Sequence, residues 1–297
     1  MTALAVLSLD ESAVRTLTVP GSADFVALEG DDAWVTNEGR VEKLRAGVPA
    51  PAATVPIAEP GGAPAVDFGS LWVADCRNGT LVRVDLASQR VVAAIPTGVA
   101  DPKGELSIAT GAGSVWLLSD AAGVLARVDP ETNQVTARIR VQAHSYCAAF
   151  GFGSVWIASS ADGTPEGAGS VQRIDPGTNQ VAATIPVGRG PRFLAAGAGG
   201  VFTLDQGDGT VSRVDPARNA RVATIATDVP GTGGDIAVGA GRVFVRAART
   251  ALSVVDPATD RVTARYGPPC GSGAVRANDR VVWVTAHDIQ KVWLLAP

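Results

Sequence analysis

ARVDPETNQVTARI, residues 126–139, is the stretch whose reading decides the fold. Apolar and polar residues alternate on both sides of Asp129, the period of half-buried strands. Between the two runs sits Asp-Pro-Glu-Thr-Asn. Proline presets φ at the first central turn position, the Asp side chain can accept from the backbone two residues on, and Asn tolerates left-handed φ. The stretch is therefore a tight hairpin. It recurs as VRVDLASQRVVAAI (82–95), QRIDPGTNQVAATI (172–185), SRVDPARNARVATI (212–225) and SVVDPATDRVTARY (253–266).

Working outward, an aromatic strand precedes each hairpin. Its versions are DDAWVTN (31–37), GSLWVAD (69–75), GSVWLLS (113–119), GSVWIAS (153–159), GGVFTLD (199–205), GRVFVRA (241–247) and RVVWVTA (280–286). The aromatics Trp34, Trp72, Trp116, Trp156, Phe202, Phe244 and Trp283 follow one another at 38 to 46 residues. A period near 40 marks a repeat architecture. Asn78-Gly79, Asp162-Gly163 and Asp208-Gly209 are hairpin dipeptides between the aromatic strand and the next. A short apolar strand and a small turn such as Gly-Ala-Gly-Ser (111–114) come before each aromatic.

The unit is thus four antiparallel strands: A, B with the aromatic, C ending in Asp-Pro, and D. Four-stranded units repeated around an axis predict an all-β fold, a seven-bladed β-propeller forming one domain over 1–297. The expected blades are about 20–57, 58–98, 99–141, 142–188, 189–228, 229–266, and 267–297 completed by 13–19. After Trp283 the chain has residues for strand C only, whereas Val14–Gly21 matches the strand D sequence VAATIPVG (181–188). The N-terminal strand is expected to close the last blade, burying Val14, Leu17 and Val19 and removing an open edge.

Net charge is −4 and Lys and Arg do not cluster, so nucleic acid is not an expected partner; no stretch approaches the length of a membrane span, so neither is a membrane. The start MTALAVLSL lacks a basic segment and a cleavage site, so no signal peptide is read; a soluble monomer is expected, cytoplasmic or exported with its signal removed. Cys76, Cys147 and Cys270 have no metal-type spacing; three cysteines allow at most one disulfide, which the sequence does not decide, and the other reading is small apolar residues. No cofactor is expected, and ligand spacing does not indicate a divalent metal.

The strand G-x-V-W-I-A (153–158) and the hairpin D-P-G-T-N-Q-V-A-A-T-I-P-V-G (175–188) resemble those of the YVTN-repeat β-propellers and the related streptogramin-lyase-like (virginiamycin B lyase-like) propellers. The resemblance spans nearly the whole chain and implies the propeller fold. Relatives of this kind include binding proteins, lyases and metal-dependent lactonases. The lyases use a Glu-x-His pair; here neither His144 nor His287 follows Glu at that spacing, so those residues are not carried over. The calcium site of gluconolactonase-like propellers does not map onto this sequence either.

Loop length points to one face. Trp156 and Ile185 lie 29 residues apart where most blades have 23, and the extra residues fall in the B–C loop 159–170. Further insertions fall in the D–A connections 97–105 and 227–235. B–C and D–A loops emerge together, and binding is commonly built on loops carried by a rigid scaffold. Strand-A starts place Asp24, Glu105, His144, Tyr146, Arg192, Asp235 and Ser272 there, and strand-B ends place Asn37, Asp75, Arg77, Asp120, Asp205, Arg246 and His287. The expected function is binding of a small polar molecule, peptide or protein by these residues. The alternative is a lyase or hydrolase at the channel mouth, with His144 as base, Tyr146 and Glu105 beside it, and Arg192 stabilising an anion.

Overall fold

A computed structural model describes residues 4–99, 107–119, 122–227 and 233–297. Seven sheets, each running A–B–C–D in antiparallel order, form a seven-bladed β-propeller. Blade 4 is representative: Ser145–Gly151, Ser154–Ser160, Gly169–Asp175 and Gln180–Val187. The A–B turns of blades 2 to 6 carry paired positive φ, as at Phe152 (52°) and Gly153 (71°), which is the two-residue hairpin geometry whose twist matches the strands.

The C–D hairpin forms as its sequence demands. Asp129 Oδ1 accepts from the backbone N–H of Glu131 at 2.8 Å, and Asn133 sits at φ 57°. The same turn recurs at Asp175, Asp215 and Asp256, with Asn179, Asn219 and Asp260 in left-handed conformation. Strand D then bulges by one residue, so that Arg127 faces Ala137 while Val128 faces Val135. Blades 2, 4, 5 and 6 bulge at the equivalent place. The extra residue increases twist, and in blade 2 it leaves Val92 exposed.

The five strand-B tryptophans are fully buried, with Phe202 and Phe244 in the same role. A buried indole N–H needs an acceptor. Trp72, Trp116 and Trp156 donate to the carbonyls of Asp67, Gly111 and Gly151 in their own A–B turns. Trp283 instead reaches the next blade, donating to Asp31 O at 2.9 Å.

A guanidinium covers the ring in four blades. Arg83, Arg127, Arg173 and Arg213 stand on strand C with Cζ 4.8–6.0 Å from the centroids of Trp72, Trp116, Trp156 and Phe202. Each donates through Nη1 to the next blade's C–D turn. Arg127, for example, reaches Pro176 O (2.7 Å) and Asn179 Oδ1 (2.9 Å). The first three also donate Nε to Ser70, Ser114 and Ser154. Blade 5 has Gly200 at that place, and Arg213 Nε has no partner. Blade 6 carries Val254 instead of arginine. Its neighbour takes strand D from the N-terminus and has no C–D turn to receive one.

Strand D of blade 7 is Arg15–Thr18, antiparallel to Lys291–Leu295. Leu17 and Val19 are buried, but Val14 is 69% exposed, which corrects its expected burial. It precedes the paired residues and has the opposite parity to Leu17 and Val19, so a two-residue period turns it outward. The N-terminus does more than close one blade. Val6–Ser8 adds a parallel fifth strand to blade 6, and Leu9 is buried between blades 6 and 7. Asp10 accepts from Trp293 Nε1 at 2.7 Å and pairs with Lys291. All three cysteines are buried. No helix among the described residues is long and apolar enough to cross a membrane.

Candidate functional site at the channel mouth

Strand A of every blade lines the central channel, and register sorts its residues into layers. The residue pairing with the blade's aromatic is Ala27, Ala65, Ala109, Ala149, Ala195 or Ala237, with Arg276 in blade 7. Two residues earlier stand Phe25, Ala63, Ser107, Cys147, Phe193, Asp235 and Ala274. Five of these are small or short, and the two phenylalanines occupy the space left. Their rings meet across the channel, centroids 6.3 Å apart at 45°. They floor a mouth cavity of about 530 Å³ and set it apart from a cavity of about 270 Å³ lower in the channel.

One residue nearer the mouth, Asp24 and Arg192 precede the two phenylalanines, and both line the mouth cavity. Ser272, Asp288, Gln206 and Pro165 also line it. Arg192 lies over the Tyr146 ring, with Cζ 3.8 Å from the ring centroid. The Tyr146 hydroxyl donates to Gly163 O at 2.8 Å, which ties that ring to the inserted B–C loop. This loop, 161–168, lies over blade 5. Glu166 pairs with Arg189 at 2.6 Å, and Gly190 donates to Gly167 O at 3.0 Å. Gly207 passes so close to Pro165 that a Cβ there would collide with the Pro165 carbonyl.

Opposite, Asp288 Oδ2 accepts from Ser272 N at 3.0 Å, and Asp288 Oδ1 lies 2.9 Å from His287 Nδ1. Gln206 is 4% exposed and its Nε2 has no hydrogen-bond partner, a costly arrangement for a buried amide. A second cavity of about 530 Å³ opens on the same face between blades 1 and 2. Asp24 and Phe25 border it together with Asn37, Glu59, Cys76 and Arg77.

The expected site residues therefore divide. Asp24, Arg192 and Ser272 share the mouth, with Tyr146 beneath Arg192. His144 sits in a left-handed turn (φ 56°) beside Gly163. Asp235 lies one layer deeper, fully buried, accepting from Arg276 and from Ile236 N and Val275 N. Burial pushes its carboxyl up, against the pull of Arg276. Arg246 is also fully buried, donating to the carbonyls of Thr285, Ala247 and Gly271 and to Cys270 Sγ. Burial lowers its pKa.

Asp75 is buried and accepts from Glu59 N and Asn78 Nδ2. Arg77 is exposed, 3.7 Å from Glu59. Asp205 is buried beneath three hydroxyls, those of Thr203 (2.6 Å), Ser212 (2.6 Å) and Thr210 (3.3 Å). Burial raises its pKa to about 6 in spite of these donors. Glu105 and Asp120 lie outside the described residues, as do most of the two D–A insertions. No group of three or more His, Cys, Asp or Glu able to hold a metal occurs among the described residues.

Sequence reasoning missed Phe25, Phe193, Gln206 and Asp288. A signal for the first two was present: Asp-Phe and Arg-Phe occupy the same strand-A register in blades 1 and 5.

The repeat that builds this ring has a family description. A family model described as a repeat of unknown function (DUF6923) matches residues 13–192, more than half of the chain. The chain belongs to the DUF6923 repeat family. The matched DUF6923 region runs from the closing strand of blade 7 to Arg192 itself. No curated protein gives a significant sequence match. Among solved structures, a selenomethionine-substituted virginiamycin B lyase from Staphylococcus aureus superposes with TM-score 0.76 at 9% identity, over 95% of this chain and 98% of that one. The hydrazine synthase of Kuenenia stuttgartiensis superposes with TM-score 0.75 at 12% identity, over 94% and 96%. At these identities the likeness is one of fold.

Proposed function

We propose that this propeller binds a small polar molecule in the mouth cavity, on the face that carries its D–A and B–C loops. The observation that carries the reading is one cavity of about 530 Å³ holding Asp24, Arg192, Ser272 and Asp288 over an aromatic floor. That size lies within the usual range of roughly 300–1,000 Å³ for small-molecule sites. Arg192 is held in place from below by Tyr146, so less side-chain entropy is lost when it engages a ligand. The longest B–C loop contributes Pro165 to the wall. Motif likeness to YVTN repeats is compatible with this reading and does not choose a ligand.

The test is a thermal-shift screen of the full chain against amino acids, sugars, carboxylates and nucleotides, with hits measured by calorimetry. Arg192→Ala should abolish binding of any hit. Unchanged affinity in Arg192→Ala and in Asp24→Asn would place the ligand elsewhere and overturn the reading. Turnover of a panel of lyase and lactonase substrates, lost in Arg192→Ala, would favour the catalytic alternative.

A further inference from the structure

We infer that the ligand of the mouth cavity is a small zwitterion, with a carboxylate and an ammonium group on one short apolar body, as in an α-amino acid. The inference rests on the mouth being the binding site and goes on to name the chemistry it selects. Arg192 and Asp24 enter the same cavity from blades 5 and 1, each next to one of the two phenylalanines that meet across the channel. The cavity therefore carries opposite charges on two sides of one floor. Asp288 adds a second carboxylate to the wall.

A simple anion would meet Arg192 favourably but would face Asp24 and Asp288 in a partly desolvated cup. A simple cation would face Arg192. A molecule with both charges meets complementary potential at each end, and such matching chiefly gives specificity. Arginine suits the carboxylate end because its fork can donate two parallel hydrogen bonds. Gln206 borders the cavity with an amide nitrogen that has no partner. A half-turn about its last torsion exchanges oxygen and nitrogen, so the amide can donate to a ligand oxygen. The Phe25–Phe193 floor offers apolar contact to the body between the two charges.

The experiment is calorimetry on the full chain with L-leucine and L-phenylalanine, alongside analogues lacking one group: 4-methylpentanoate and isopentylamine, 3-phenylpropionate and phenethylamine. At least one amino acid should bind tenfold or more tighter than either of its analogues. Arg192→Met, which keeps an apolar chain over Tyr146, should erase the advantage conferred by the carboxylate. Asp24→Asn should erase the advantage conferred by the ammonium.

Gln206→Met should weaken amino-acid binding without lowering the melting temperature of the free protein, because it removes a buried amide nitrogen that has no partner. A merely structural glutamine would show the reverse. If an analogue binds as tightly as its amino acid and still depends on Arg192, the zwitterion is overturned while the mouth site stands. If neither amino acid binds, the zwitterion is likewise overturned, and the wider screen decides the mouth separately.

Discussion

Arg127 Nη1 donates to Asn179 Oδ1 at 2.9 Å across the gap between blades 3 and 4. The two residues are 52 apart in sequence and occupy equivalent halves of successive repeats. The Asp-Pro-x-Thr-Asn turn is thus more than a hairpin. Its asparagine and its proline carbonyl receive the arginine of the blade before. Four such contacts join successive blades from 2 to 6, with the aromatic of strand B under each guanidinium.

Arg127→Met should therefore destabilise the fold by about 2–3 kcal/mol, the range for charge-assisted hydrogen bonds plus a partly buried cation–π contact. Lysine should not restore it, because a point charge cannot reach Ser114, Pro176 and Asn179 together. Asn179→Gly keeps the left-handed backbone and deletes only the acceptor. A double-mutant cycle between the two, by chemical denaturation, should give a coupling of about 1 kcal/mol or more. Additive effects would show that the contact contributes nothing.

Asp205 makes a pH prediction. Its folded-state pKa, about 6, stands above the ordinary carboxylate value of 3.8. The native state therefore binds the proton more tightly than the unfolded chain. Stability from this group is greatest below about pH 4 and falls as pH rises through 6, a loss of about 3 kcal/mol at 1.36 kcal/mol per unit. Asp205→Asn should raise the melting temperature at pH 7.5 and leave it unchanged, relative to wild type, at pH 3.5. A variant less stable than wild type at pH 7.5 would mean that the ionised carboxylate is favourable where it lies.

Gly207→Ala should displace the 161–168 loop, because the added Cβ meets the Pro165 carbonyl. Limited proteolysis should then cut within 161–168 severalfold faster, with the rest of the ring equally resistant. Equal cleavage rates would show that the loop is not held by this approach.

The ring was legible in the sequence because its causes are local. Alternation, the Asp-Pro-x-Thr-Asn turn and the recurring aromatic each act within a few residues. The arginines were in plain view in those same stretches, but their partners lie 43 to 52 residues away, beyond any local pattern. At the mouth, Asp24, Arg192 and Ser272 were found from their positions at strand-A starts. Asp235 was placed with them but lies a layer deeper, since a single step of register separates mouth from channel. The floor escaped notice because a phenylalanine among alanines reads as ordinary core until the strands are arranged around an axis.

Truncation of residues 1–19 tests closure. At roughly 1.5–3 kcal/mol per fully buried large apolar side chain, Leu9, Leu17 and Val19 together account for about 5–9 kcal/mol, comparable to the total stability of a typical domain. The truncated chain should aggregate or melt far below the full chain by circular dichroism. An unchanged melting temperature would show that these residues do not hold the ring shut.

The most direct measurement of the functional account is a crystallographic fragment screen of the full chain with small polar compounds. Bound fragments should gather over the Phe25–Phe193 floor, within reach of Arg192 and Asp24. Fragments gathering on the A–B and C–D turn face, with the mouth bare, would contradict it.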